Sequence, residues 1–346
     1  MLDNYSTNAT IAKIHAIHGK MLTKENYYEM INKHSVSELA EYLKRNYRFK
    51  ETLCDIDPSS IHRGLLEELL KKNNFDIYVR LCNFQRLDSK PFYNFLVQKI
   101  EIEQIIEAVN RINNQYPDDS LANVPAYVKK HSKINLLELR SSKNMDELKK
   151  SLKGTIYFKI VSSFDTNDGT AIDYVQFEKT LITFYYERLI ENIKSDFFKS
   201  ETEQLKNIIF TEIDLINIRN AYRKKVFFNY DSEKIKCTQI PFTKIGKNKM
   251  NAFYEKNSAE EMLDYLKKTK YGRNIPNNTD YVEVFLQTTF SNYLKHLVAK
   301  STSPPVVIYA FMKLCDIEVK NIIHIIEGIR YNVAPETIKK NLIVYQ

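Results

Sequence analysis

The chain of 346 residues carries 51 Lys and Arg against 43 Asp and Glu, a formal charge of +8, and only 7 glycines, far below the usual share of about 7%. So small a supply of the residue that tight turns require argues against a sheet protein and for an all-helical one, and 43% hydrophobic residues can fill a real core. The longest apolar run, near Val306 to Met312, is far short of the roughly 20 residues of a membrane span, and Cys54, Cys82, Cys237 and Cys315 form no CxxC pair and read as reduced thiols.

Apolar residues recur at i, i+3 and i+4 along most of the chain, and the predicted elements follow in order. A first helix spans 9–19; the N-terminus before it, Met1-Leu2-Asp3-Asn4, lacks the features of a signal peptide. Thr23 caps a second helix that turns Tyr27 and Met30 inward. Ser35 opens a third, with Leu39, Tyr42 and Leu43 on one face and Glu38 placed to reach back to the cap as a capping box. Asp57-Pro58 breaks the pattern, and long helices come next at 61–87 and 91–113. Gln115-Tyr116-Pro117-Asp118-Asp119-Ser120 is the clearest linker. Leu136 and Leu139 then stand where Tyr27 and Met30 stood, and Asn144 with Glu147 opens another capped helix. After a turn at Thr166-Asn167-Asp168-Gly169 come long helices at 172–198 and 201–225. Met250 and Phe253 begin a further pair, Ser258 with Glu261 caps its second member, and a turn at Asn274-Ile275-Pro276-Asn277-Asn278 leads to long helices at 281–298 and 304–331. A last short helix starts at Ala334-Pro335-Glu336, with Pro335 in the first turn, where its missing N–H does no harm.

The order repeats itself. Ser35 to Lys44 is written again at Ser258 to Lys267 without a gap, and more weakly at Asn144 to Lys153, where Ser151 replaces the tyrosine of the other two. A second marker is the triplet Glu101-Ile102-Glu103, with Glu212-Ile213-Asp214 and Asp316-Ile317-Glu318; the last two continue to Asn217-Ile218 and Asn321-Ile322. The caps lie 109 and 114 residues apart and the triplets 111 and 104. Two independent markers with one period predict three helical repeats, at 1–116, 117–231 and 232–346.

Chemistry-bearing motifs are few. His15 and His18 lie three apart with no third ligand beside them, which reads as a structural pair, one packed and one solvated, rather than a metal site. Gly246-Lys247 lacks the upstream glycine and the Ser or Thr of a phosphate loop, and no GxSxG elbow is present. The acids of each triplet are expected to flank a buried isoleucine on different sides of a helix rather than converge on a substrate. No catalytic, cofactor-binding or metal-binding residue is predicted. Basic groups cluster at Arg219, Arg223, Lys224 and Lys225 and again at Lys44, Arg45, Arg48 and Lys50. Cations suit the last turn of a helix on local grounds; the sharper reading is a contact surface for an acidic partner. Nucleic acid is not expected, since the clusters are short and balanced by nearby acids.

The run from Ala9 to Ile14, Met21 to Tyr27 and the Ser35 helix resembles the start of the C subunit of prokaryotic V-type ATPases, equivalent to the eukaryotic d subunit. The Asp214-x-x-Asn217-Ile218 helix with Arg219 and Arg223, and Ile325 to Ile329 before Ala334-Pro335-Glu336, are similar to that family too. The resemblance implies a funnel of three all-α domains with pseudo-threefold symmetry. It also implies a non-catalytic central-rotor component, peripheral on the cytoplasmic face of the membrane, that receives the D- and F-type central-stalk subunits and sits on the rotor ring. Repeats alone equally permit an open helical solenoid that holds peptide or RNA.

Overall fold

A computed structural model describes residues 2–85, 90–114, 125–164, 172–273, 275 and 281–344. The linker expected at Gln115 to Ser120, the turn at Thr166 to Gly169 and most of the turn at Asn274 to Asn278 lie outside them. Among the described residues the backbone forms helices and no strand. In chain order these are α1 (Leu2–His18), α2 (Lys24–Ile31), α3 (Val36–Arg45), α4 (Lys50–Leu53), α5 (Arg63–Gln85), α6 (Phe95–Asn114), α7 (Leu136–Ser141), α8 (Met145–Ser151), α9 (Phe158–Ser162), α10 (Tyr174–Asp196), α11 (Lys199–Phe228), α12 (Ser232–Cys237), α13 (Lys247–Tyr254), α14 (Ala259–Lys267), α15 (Val282–Lys300), α16 (Pro304–Arg330) and α17 (Pro335–Lys340). The first helix begins well before Ala9. None of the described helices is long and apolar enough to cross a membrane.

The repeated caps act as their sequences predict, with one change. The Ser35, Asn144 and Ser258 side chains accept the amides of Glu38, Glu147 and Glu261 at 3.1, 2.9 and 3.2 Å. Each glutamate, however, accepts from the residue before the cap, His34, Lys143 or Asn257, because the extended cap residue turns the preceding N–H toward the first turn. The tyrosines of the better copies stitch each helix pair together: Asn26 donates to the Tyr42 hydroxyl, and Tyr265 donates to the Lys249 carbonyl. Ser151 is too short for that and bonds Leu148 of its own helix instead.

Contacts divide the chain into two compact units. One comprises Met1–Arg86, Lys199–Cys237 and Phe242–Gln346. Its axis is α16, whose residues from Pro305 to Cys315 are all buried, Lys313 among them in a pair with Glu212 at 2.7 Å, as in a largely apolar helix wrapped by others. α1, α5, α11 and α15 pack around it, and α2, α3 and α17 cover its second half. Gly328 is required there: a Cβ would run into the Ile338 side chain of α17. A second cluster in this unit gathers Ile218, Met250, Phe253, Met262 and Leu266 from α11, α13 and α14.

The other unit comprises Leu87–Phe198 with Thr238–Pro241. Here α6 packs on α10, and α7 and α8 lie on α6. Phe92 is fully buried with its ring 5.1 Å from both Tyr93 and Phe197, and its amide donates to Asp196 at 2.7 Å.

Buried carboxylates and a basic helix end

A charged carboxylate inside a helical core is tolerated only when donors surround it. Three long helices bury one each. Glu101 of α6 accepts from the Ser132 hydroxyl, the Lys133 amide and the Tyr157 hydroxyl at 2.8, 2.7 and 2.7 Å. Asp214 of α11 accepts from the Lys244 and Ile245 amides and from the Tyr271 hydroxyl at 2.8 Å. Glu318 of α16 accepts from the Leu22 amide at 2.8 Å and from Arg48 Nε at 2.9 Å.

The three sites share one plan. The amide donors precede the first helix of a capped pair, just before Thr23, Asn135 and Gly246. The side-chain donors Arg48, Tyr157 and Tyr271 each stand 13 residues beyond the cap of the second helix, at Ser35, Asn144 and Ser258. The acids are followed at fixed offsets by Gln104-Ile105, Asn217-Ile218 and Asn321-Ile322, and all three isoleucines are fully buried. The expectation that the triplet acids simply flank an isoleucine is therefore corrected. One acid of each triplet is itself buried, and it is the first in Glu101-Ile102-Glu103 but the last in the other two.

Electrostatics differ among the sites. Burial holds Asp214 above the usual carboxylate range, against the opposing pull of hydrogen bonds from Thr243, Tyr271 and the amides of Lys244 and Ile245. Burial, then the neighbouring carboxylate, pushes the Tyr157 and Tyr271 hydroxyls upward. At Glu318 the partner is a cation, with both side chains essentially inaccessible. Arg48 also donates to Asn74 at 2.8 Å, Asn74 in turn donates to the Cys315 carbonyl, and burial pushes the Cys315 thiol up to about 12. Arg48 is thus an internal strut and no part of a basic contact surface. Of its sequence neighbours, Lys44 donates to the Ile56 carbonyl and Arg45 pairs with Glu41.

The other basic cluster lies at the end of α11. Arg219 and Lys224 are half-buried; Arg223 pairs with Glu283 of α15 at 3.4 Å, and Lys225 donates to the Tyr230 carbonyl at 3.3 Å. The helix does not stop at Lys225, where the sequence pattern ends it. Phe227 and Phe228 continue it and are 68% and 66% exposed, after which Asn229 turns the chain with φ +48. A pair of adjacent phenylalanines beside a cationic run is the signal that could have extended the prediction. Of the two early histidines His18 is half-buried, its ring meeting Phe311 edge-on, while His15 is exposed with Nε2 2.8 Å from the Val298 carbonyl.

Known proteins are similar to this chain along most of its length. The C subunit of the A-type ATP synthase of Methanosphaera stadtmanae is 25% identical across 99% of this chain and 89% of its own. The proteins of the same name from Pyrococcus furiosus and Thermococcus gammatolerans are 21% and 25% identical, over 95% and 84% of this chain and 88% and 75% of theirs. The family model described as ATP synthase (C/AC39) subunit matches residues 10–341, nearly end to end, and the chain belongs to that family.

Proposed function

We propose that this chain is the non-catalytic socket of a rotary ATPase or ATP synthase. Its repeats at 1–116, 117–231 and 232–346 would then form a funnel with pseudo-threefold symmetry. The funnel receives the D- and F-type central-stalk subunits, rests on the membrane rotor ring at the cytoplasmic face, and carries torque between them. The observation that carries the reading is the Glu318 site. Glu101 and Asp214 each hold the capped helix pair that comes after them in sequence, whereas Glu318, on the last long helix, holds the pair at the start of the chain. An open solenoid has no such return: its last repeat faces solvent and is capped by a polar surface. The hydrogen-bonded buried carboxylates also tie helix pairs to the long helices beside them, which favours the stiffness a torque-bearing part needs.

The end of α11, with Arg219, Arg223, Lys224 and Lys225 and the exposed Phe227 and Phe228, is the assigned partner contact in this reading. Affinity capture of the tagged chain from gently solubilised native membranes, followed by mass spectrometry, tests both levels. Stoichiometric recovery of stalk and ring subunits is expected, and an Arg223→Glu/Lys224→Glu/Lys225→Glu variant is expected to lose them. Recovery of neither set with the native chain overturns the socket; unchanged recovery with the variant overturns only the assigned contact.

A further inference from the structure

Two stretches of the chain are basic without a single acid. Phe242–Tyr254 holds Lys244, Lys247 and Lys249, and Tyr265–Arg273 holds Lys267, Lys268, Lys270 and Arg273. The fold sets them side by side. The Lys244 amide and the Tyr271 hydroxyl bind the same Asp214 carboxylate, and the Tyr265 hydroxyl reaches the Lys249 carbonyl at 3.0 Å. Lys244, Lys247, Lys249 and Lys270 are exposed, and among the described residues none of the four lies within ion-pair distance of a carboxylate. Lys267, by contrast, is held by Asp264.

These charges act on one another. Burial lowers the Lys270 ammonium, and Lys244 and Lys249 lower it further against the pull of Asp214. Asp214 offers little relief, since its oxygens already face two amides and the Tyr271 hydroxyl. α13 adds to the positive potential, because Gly246 at its start provides no side-chain cap. The matching helices are unlike it: α2 has a Thr23 cap and contains Glu25 and Glu29, and α7 has an Asn135 cap and contains Glu138.

We propose that the lysine surface formed by α13 and the turn after α14, centred on Lys244, Lys247, Lys249 and Lys270, docks an acidic protein segment rich in Asp and Glu. Three features select that occupant over other anions. No large apolar side chain is exposed between Phe242 and Arg273, so nothing is available to enter a bilayer. The rings of Tyr254 and Tyr271 are buried, that of Tyr265 is half-buried and the half-buried Phe242 already stacks on Phe210, which leaves no open stacking platform for bases. Lysines are compact, mobile point charges, suited to the scattered carboxylates of a flexible chain. The surface is separate from the end of α11 and does not rest on the socket reading.

Fluorescence anisotropy of the full chain with a labelled twelve-residue Asp/Glu peptide tests this across a salt series. The expected result is binding that weakens with salt and falls at least about tenfold in Lys247→Glu/Lys249→Glu/Lys270→Glu. The Gln versions of the same three positions, which add no repulsion, should show a smaller loss. A reversal of equal size at Arg223, Lys224 and Lys225 should change affinity less than about twofold, marking the effect as local. Equal losses in the two reversal variants, or no loss in the Gln and Glu variants at the lysine surface, overturn the proposal. So does tighter binding of anionic phospholipid vesicles or single-stranded RNA than of the peptide.

Discussion

Replacing Arg48 by methionine removes the cation that faces Glu318 while keeping an apolar stem of similar length. Glu318 retains the Leu22 amide, but its second oxygen loses the guanidinium at 2.9 Å, and Asn74 loses its donor. Leaving one charge of a fully buried pair without its partner costs about 3–5 kcal/mol, or roughly two to three and a half orders of magnitude in the local opening constant. Glu318→Gln in the same chain removes the stranded charge and preserves an oxygen for the Leu22 amide. The double variant Arg48→Met/Glu318→Gln should therefore be more stable than Arg48→Met alone. Urea unfolding followed by circular dichroism gives the global effect, and native-state hydrogen exchange at amides of α2 and α16 gives the local one. A loss below about 1 kcal/mol for Arg48→Met, or simple additivity of the two changes, would refute the view that Arg48 and Glu318 act as one buried unit.

Other sites give sharper chemical readouts. Asp214 titrates above the ordinary aspartate value of 3.8 because burial disfavours its charge; the native state then holds the extra proton, so this group's contribution is full below about that pH and is lost as pH rises through the native value. Asp214→Asn should flatten that part of the stability–pH curve, measured by denaturation from about pH 3 upward, while Asp214→Ala should cost about 1–3 kcal/mol more than Asn by orphaning buried donors. Thiol titration with an aromatic disulfide should modify the exposed Cys54 and Cys237 rapidly and the buried Cys82 and Cys315 only as the chain unfolds. Gly328→Ala should lower stability by about 1–3 kcal/mol through overpacking, and a Gly328→Ala/Ile338→Val pair, which trims the side chain that the new Cβ would strike, should regain part of it in thermal melts.

What the sequence discloses is what is local. Caps, the helices behind them and the spacing of Tyr27 and Met30, Leu136 and Leu139, Met250 and Phe253 are legible because a cap acts within four residues and a helix face repeats within seven, and all six of those side chains are buried. The early part of α1 is not legible, since Asn4, Ser6, Thr7 and Asn8 are weak helix formers. Nor is the role of the triplet acids. Whether Glu101 or Glu103 turns inward depends on the rotation of α6 against α7 and α8, and the groups that recruit Glu101 come 31, 32 and 56 residues later. The clue is a hydrogen-bond donor 13 residues past each cap, but Arg, Tyr and Tyr share no composition that periodicity would detect. Arg48 sits in a run of cations and looks like surface for that reason.

The side-chain donor is not the same at all three joints, and the difference follows chain distance. Tyr157 and Tyr271 reach acids 56 and 57 residues away, and the amides at those joints come 30 to 32 residues after their acids. At Glu318 the amide lies 296 residues back and the guanidinium 270. Loop-closure entropy scales as about (3/2)RT ln n, so a contact across nearly 300 residues costs about 2 kcal/mol more than one across about 30. A tyrosine brings one donor to its acid. Arg48 brings a charged fork that bonds Glu318 and Asn74 together and lies against Cys315, so it makes two hydrogen bonds from a charged group, each worth about 1.5–3 kcal/mol, where a tyrosine makes one. The strongest donor thus stands where the chain must return to its own beginning. A tyrosine at position 48 would satisfy one oxygen of Glu318 as its counterparts do, yet leave Asn74 unanswered at the joint that bears the largest entropic load.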